Sequence, residues 1–337
     1  MMTRVPTALA LSLLLAACSG GFGRPPKGAK EGLSSAQKAA IAKIRTQVEG
    51  LIVWSSSRIE NHDLFLMKTD GTQVHALTQG KHVDWYPRFS PDGKRILFCR
   101  SKHGWVSEKD ASQAAKWDLY TISVDGKNLQ KVVANGTWGE WIGPEKVSFS
   151  RGTQVWTMDL VSKKETLLAD SKAVGALGGA ELQNPHLSPD GQFLAITLRG
   201  ARRETGIYTL ATKTWSKTGE GCQINWFPSG KQIFWVNPSG NGGSEVFSRD
   251  VVAGKPAKDV AYKELRYIDI PGRRSHEYFP KFSPKGDWLI WVATRRGHDH
   301  DIADYEIYLW HVGSPAGEAT RLTFHSGNDR WPDIYVP

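Results

Sequence analysis

Beyond residue 50 the apolar positions come in short runs separated by Gly, Pro, Asp and Ser, which predicts brief strands joined by tight turns. One run-and-turn unit recurs. Tyr86-Pro87-Arg88-Phe89-Ser90-Pro91-Asp92-Gly93-Lys94 returns as Asn184-Pro185-His186-Leu187-Ser188-Pro189-Asp190-Gly191 and as Phe279-Pro280-Lys281-Phe282-Ser283-Pro284-Lys285-Gly286. Looser copies are Asn225-Trp226-Phe227-Pro228-Ser229-Gly230-Lys231, Glu140-Trp141-Ile142-Gly143-Pro144-Glu145-Lys146 and Arg330-Trp331-Pro332-Asp333-Ile334-Tyr335. Aligned on the central apolar residue, the copies fall at 89, 142, 187, 226, 282 and 334. Pro sets φ for the turn, Asp bonds nearby backbone and Gly accepts positive φ, so each copy predicts a strand entering a turn.

The first five copies are each followed by an apolar strand, at 96–99, 147–150, 193–198, 233–236 and 288–293, and then by a third strand and a fourth. The last copy has only a first strand, while 51–55, 63–68 and 74–77 supply a second, third and fourth without a first. Joined, the two ends complete one unit. The expectation is therefore an all-β, six-bladed β-propeller over residues 50–337, closed by its N- and C-terminal strands, with no long unpaired edge at the seam.

Upstream, Ser34 and Ser35 are placed to cap a helix over 36–48, with Ile41, Ile44 and Val48 at helical spacing. Residues 18–49 thus read as a Gly/Pro/Lys-rich tether and a short helix. Arg4 precedes an apolar stretch, Val5 to Ala17, shorter than the roughly 20 residues that a bilayer span needs. It ends Leu15-Ala16-Ala17-Cys18, which resembles the lipobox of bacterial lipoproteins. That resemblance implies a signal peptide over 1–17, lipidation at Cys18 and anchoring to a membrane, and Ser19 after the Cys implies the outer one.

Composition sharpens this picture. The 337 residues carry 14 Trp, 34 Gly and 17 Pro, which repeated sheets and turns require. The three Cys exclude a disulfide scaffold and a multi-Cys zinc site. Cys99 and Cys222 read as small buried hydrophobes. A net charge of +9 would point to nucleic acid in a cytoplasmic protein. On an exported chain, which loses Arg4 with its signal, it points to acidic partners instead.

The repeats resemble the WD-repeat-like units of TolB-type β-propellers over about residues 50–337. The resemblance implies the ring fold and a place on the periplasmic side of the envelope, but it leaves function open, because propellers host binding modules and enzymes alike. TolB-type proteins carry a sizeable domain before the propeller, whereas here a short segment separates Cys18 from the first strand.

The longest predicted loops, at 102–117, 170–182, 237–244 and 296–305, fall on one face, as do His62, His82, His103, His276, His298, His300 and His325. That face is the expected working face. The starts of the first strands, Asp84, Trp85, Gln183, Asn225, His276, Glu277, Asp329 and Arg330, are expected to line an axial channel there. In His298-Asp299-His300-Asp301 the alternation of a hairpin divides the imidazoles from the carboxylates, so a solvated loop is expected rather than a metal site. There is no G-x-S-x-G elbow, and no Gly-Lys pair is followed by Ser or Thr. The reading is a non-enzymatic envelope scaffold for a protein or peptide, without a cofactor and without nucleic acid. The alternative is a ligand- or metal-binding propeller enzyme, such as a lyase acting on an acidic polysaccharide.

Overall fold

The computed structural model describes residues 32–337, apart from 239–243, 259, 262, 263, 265, 271–273, 275, 296 and 298. Every repeat opens on a strand interrupted in the same way. These inner strands are Asp84–Phe89, Thr137–Gly143, Glu181–Leu187, Cys222–Trp226, His276–Phe282 and Asp329–Tyr335. One residue in each takes a left-handed backbone: Tyr86, Trp138, Asn184, Gln223, Phe279 and Trp331, with φ between 51° and 56°. The pairing with the second strand shifts register there in all six. Such a bulge bends the strand and re-aims its side chains. Each costs on the order of 1–3 kcal/mol for a non-Gly residue, which the surrounding packing must offset.

The bulges correct the repeat alignment. Counting three residues on from each left-handed position gives Phe89, Trp141, Leu187, Trp226, Phe282 and Ile334, so the second copy is centred on Trp141 and not Ile142. Trp141 and Trp226 also play matching parts: their indole N–H groups donate to the carbonyls of Arg88 and His186, each in the preceding inner strand, both at 3.1 Å.

Successive inner strands touch one another in chain order and the last touches the first, so they enclose an axis. Outward from them, four sheets of four antiparallel strands stand alone. Among the described residues this is an all-β propeller arrangement with a single α-helix, but with four separate blades rather than the expected six. The units expected as fourth and fifth share one nine-stranded sheet. The physical cause is a parallel bridge from Ser244 to His276, reinforced by the Ser244 hydroxyl donating to the Glu277 carbonyl at 2.9 Å.

The seam forms between the chain ends: Leu51 pairs with Tyr335 and Ser56 with Asp329. At the turn after the first inner strand, Ser90 Oγ donates to Asp92 Oδ1 at 2.6 Å and accepts from the Arg95 N–H at 2.9 Å, while Gly93 supplies φ +70°. Ser188, Asp190 and Gly191 repeat this arrangement. At Ser283 the missing Asp is replaced by Asp287, which accepts from the hydroxyl at 2.6 Å. The helix Ser35–Gln47 is capped by Ser34 and Gln37 in a reciprocal box. It docks through buried Ile44 and through Arg45, 2.7 Å from Asp70. Among the described residues no helix is long and apolar enough to cross a membrane.

Candidate functional site

The bulge decides what faces the axis. The left-handed residues are mostly large and aromatic, and they meet in the middle. Trp331 lies with its ring centroid 4.1 Å from Phe279, 4.9 Å from Tyr86 and 5.2 Å from Trp138, while Trp85 packs 4.7 Å from Trp138. This layer is dry, with Trp85 at 0% and Trp331 at 2% exposure.

Two residues further along each strand, toward the Ser-Pro-Asp-Gly turns, every unit supplies a polar side chain: Arg88, Glu140, His186, Asn225, Lys281 and Asp333. Glu140 is the hub. Its Oε1 accepts from Arg88 Nε and from the Tyr86 hydroxyl, both at 2.6 Å, and its Oε2 accepts from Lys281 Nζ at 3.0 Å. His186 Nδ1 stands 3.6 Å from the same carboxylate, and its Nε2 is 2.9 Å from Asn184 Oδ1. The Arg88 guanidinium also lies 3.7 Å over the Tyr86 ring. Asp333 accepts from the Phe89 N–H at 2.8 Å.

The electrostatics follow from the geometry. Burial disfavours charge on Glu140, but Lys281, His186 and Arg88 outweigh it and hold the carboxyl well below its ordinary range. Burial pushes His186 down to about 3 despite the pull of Glu140, so the imidazole is neutral at physiological pH. Burial raises Asp333. The ring therefore sets two cations, Arg88 and Lys281, beside two carboxylates, Glu140, which is firmly ionised, and Asp333. Lys281 keeps 19% of its side chain exposed, against 6% for Arg88 and 9% for Glu140, so solvent reaches the ring from the turn side at this lysine.

On the other side the loops interlock over the aromatic layer. Glu108, from the 102–117 loop, accepts from the Trp331 indole at 2.8 Å and lies 2.7 Å from His300 Nδ1 and 3.0 Å from Arg330. Asp301 accepts from Arg330 at 2.8 Å and bonds the hydroxyl of Ser107. His300 and Asp301 are thus built into this closure, with Asp301 at 2% exposure, rather than forming a solvated loop. Other histidines on this face bond backbone: His62 Nε2 lies 3.1 Å from the Asp301 carbonyl and His82 Nδ1 lies 2.8 Å from that of Ser101. His298 lies outside the described residues, as does Cys18. Among the described residues no group of three or more His, Cys, Asp or Glu is placed to hold a metal ion.

The residues expected to line the channel do not form one site. Only Asn225 belongs to the polar ring, its Oδ1 accepting from the Trp226 N–H at 2.7 Å. Trp85 is in the aromatic layer and Arg330 in the closure above it. Asp84, Glu277 and Asp329 occupy the same position, two before the bulge, and are bound locally. Asp84 is held by Arg100 in a fork at 2.7 and 2.6 Å, and Asp329 accepts from Trp54, Ser56 and Arg58. Glu277 accepts from the Ile270 N–H at 3.1 Å, and burial first, then Asp269, pushes its carboxyl up to about 8. Gln183 bonds Glu181 at 3.4 Å, and His276 is half-buried at the bridge between the fourth and fifth units. The missed residues had a sequence signal: Arg88, His186, Lys281 and Asp333 each directly follow the motif's Pro, a polar and variable position inside an otherwise repeating unit.

No protein-family model matches the sequence, and no curated protein is similar to it. Among solved structures the chain is similar to TolB from Acinetobacter baumannii, with 17% identity and TM-score 0.60 over 85% of this chain and 66% of that one. It is similar to the putative TolB from Agrobacterium tumefaciens, with 16% identity and TM-score 0.56 over 86% and 98%. It also matches 47% of the Kuenenia stuttgartiensis hydrazine synthase, with 13% identity and TM-score 0.57 over 86% of this chain. At these identities the likeness shows a shared propeller fold. The chain spans just under two thirds of the A. baumannii TolB.

Proposed function

We propose that this chain is a cell-envelope lipoprotein whose TolB-like propeller is a non-enzymatic scaffold, holding a protein or peptide partner at the turn-side mouth of its axis. Six bulged inner strands support counting six units, with the fourth and fifth fused at the Ser244 bridge. The lipobox-like Leu15-Ala16-Ala17-Cys18 supports a lipid anchor on the periplasmic side, and Ser19 favours the outer membrane. The observation that carries the binding role is the polar ring. A buried network drawn from every unit, with two cations of which one, Lys281, is partly open to solvent, fits an acidic side chain or a C-terminal carboxylate. The loop face, by contrast, uses its charges on itself.

Short lysine-reactive crosslinking in the native envelope tests this. The expected result is a discrete adduct to one partner that disappears in Lys281→Met; an unchanged adduct pattern in that variant refutes the site. For the anchor, Cys18→Ser is expected to leave unprocessed precursor, and normal maturation of that variant would refute it. Metal analysis of the purified chain addresses the enzyme alternative: stoichiometric metal lost in His300→Ala would replace the scaffold reading.

A further inference from the structure

Away from the axis, a cavity of about 520 Å³ lies between the first turns of the helix and the fifth unit. Small and apolar side chains leave the space, with Ala36 and Ala40 on the helix and Ile270 opposite, and three arginines line it: Arg274, Arg295 and Arg321. Two of these come from Arg-Arg dipeptides, 273–274 and 295–296. Arg274 is anchored by Asp304 at 2.8 Å and Arg321 by Glu306 at 2.7 Å, which holds both guanidinium groups in place. Arg295 is exposed and makes no ion pair among the described residues. Among the described residues three guanidinium groups line the cavity beside two carboxylates, Asp304 and the buried Glu306. The helix start is already satisfied by its own capping box, so recognition of an anion falls to the arginines.

We infer that this cavity binds a phosphate-bearing ligand, with Arg295 as the group that engages the phosphoryl oxygens and the Ala and Ile walls taking any apolar body. Arginine suits the task because its planar fork matches phosphate oxygens in pairs and is weakly hydrated. Two sources share this chemistry: free phosphate compounds and lipid headgroups. The tether makes the second accessible, since the 17 residues from Cys18 to Ser34 reach at most about 55 Å when extended.

Calorimetric titration of the purified whole chain with inorganic phosphate, dihexanoylphosphatidic acid and dihexanoylphosphatidylcholine tests the inference. Saturable binding of inorganic phosphate or phosphatidic acid, at least tenfold weaker in Arg295→Ala, is the expected result. Phosphatidic acid bound more tightly than inorganic phosphate assigns a lipid headgroup; equal affinity assigns a free phosphate compound. Ala40→Trp fills the cavity without removing charge and is expected to abolish binding while the thermal transition persists. The inference is overturned if neither phosphate probe binds, if phosphatidylcholine binds as well as phosphatidic acid, or if Arg295→Ala binds unchanged.

Discussion

The two layers of the axis are built from the same six strands, two residues apart, and they solve opposite problems. The aromatic layer closes the ring by packing: Tyr86, Trp138, Phe279 and Trp331 fill the space that six inward bends create. The polar ring next to it spends burial on charge, a costly use unless every partner is satisfied. Packing alone occupies the first layer, and the proposed binding role falls to the second. The same contrast separates the faces, because the loop side locks Glu108, Asp301 and Arg330 to one another while the turn side leaves Lys281 open.

The largest effect is expected at the first layer. Trp331→Ala removes a ring that touches Phe279, Tyr86, Trp138 and, through its indole N–H, Glu108. A loss of about 3–5 kcal/mol is expected in denaturant unfolding. A loss below about 1 kcal/mol would mean that the aromatic layer is not what closes the ring. Glu140→Ala comes next, because it takes the carboxylate from buried Arg88 and from part-buried Lys281. A cost of about 3 kcal/mol is expected, and the Glu140→Ala, Lys281→Met double variant is expected to recover part of it. Additive losses in that pair would show that the two side chains do not interact.

The layers and faces should also part company with pH. Glu140 and His186 are both depressed in the folded state, so the unfolded chain binds more protons as pH falls. Their stabilisation is present above the unfolded values, near 6.5 for His and 4.3 for Glu, and is lost in acid, for His186 as pH drops toward about 3. Asp63, Glu277 and Glu306 on the loop side are all raised to about 8, chiefly by burial, so the folded chain holds their protons longer. Their contribution is full at low pH and is lost as pH rises through about 8. Glu277→Gln keeps an acceptor for the Ile270 N–H and removes the titration. It is expected to leave stability unchanged at pH 5 and raise it by roughly 1–3 kcal/mol at pH 9. An equal change at both pH values would show that packing, not ionisation, had been altered.

The repeat, the turns, the helix and the seam were legible because each depends on local chemistry: Ser-Pro-Asp-Gly sets its own bonds, and Ser34 caps its own helix. Two features were not. The bridge from Ser244 to His276 is a tertiary contact between neighbouring units that no local pattern encodes, and it merges two expected blades. The bulge was hidden as well, because the residue that turns left-handed is Tyr, Trp, Asn, Gln or Phe, none of them the Gly that advertises such a backbone. Without it, position at the start of the first strands pointed to residues such as Asp84, Glu277 and Asp329 as channel lining. With it, the axis belongs to the residues two and four positions later.

Lys281 gives the smallest effect on stability and the sharpest test of the division between layers. Its ammonium meets Glu140 Oε2 at 3.0 Å while Glu140 Oε1 is held independently by Arg88 and Tyr86. Lys281→Met keeps the length and apolar stem of the side chain, and the carboxylate retains a full cation, so a loss of under about 1 kcal/mol is expected. If the polar ring were only structural, the change would end there. If it receives an acidic group, partner capture should fall by far more than stability does, because the part-exposed lysine is the more accessible of the two ring cations. Raising the salt concentration should weaken capture by the wild-type chain and have less effect on the residual capture by Lys281→Met. Equal salt dependence in the two proteins would place the binding surface elsewhere and leave the ring as an element of the core.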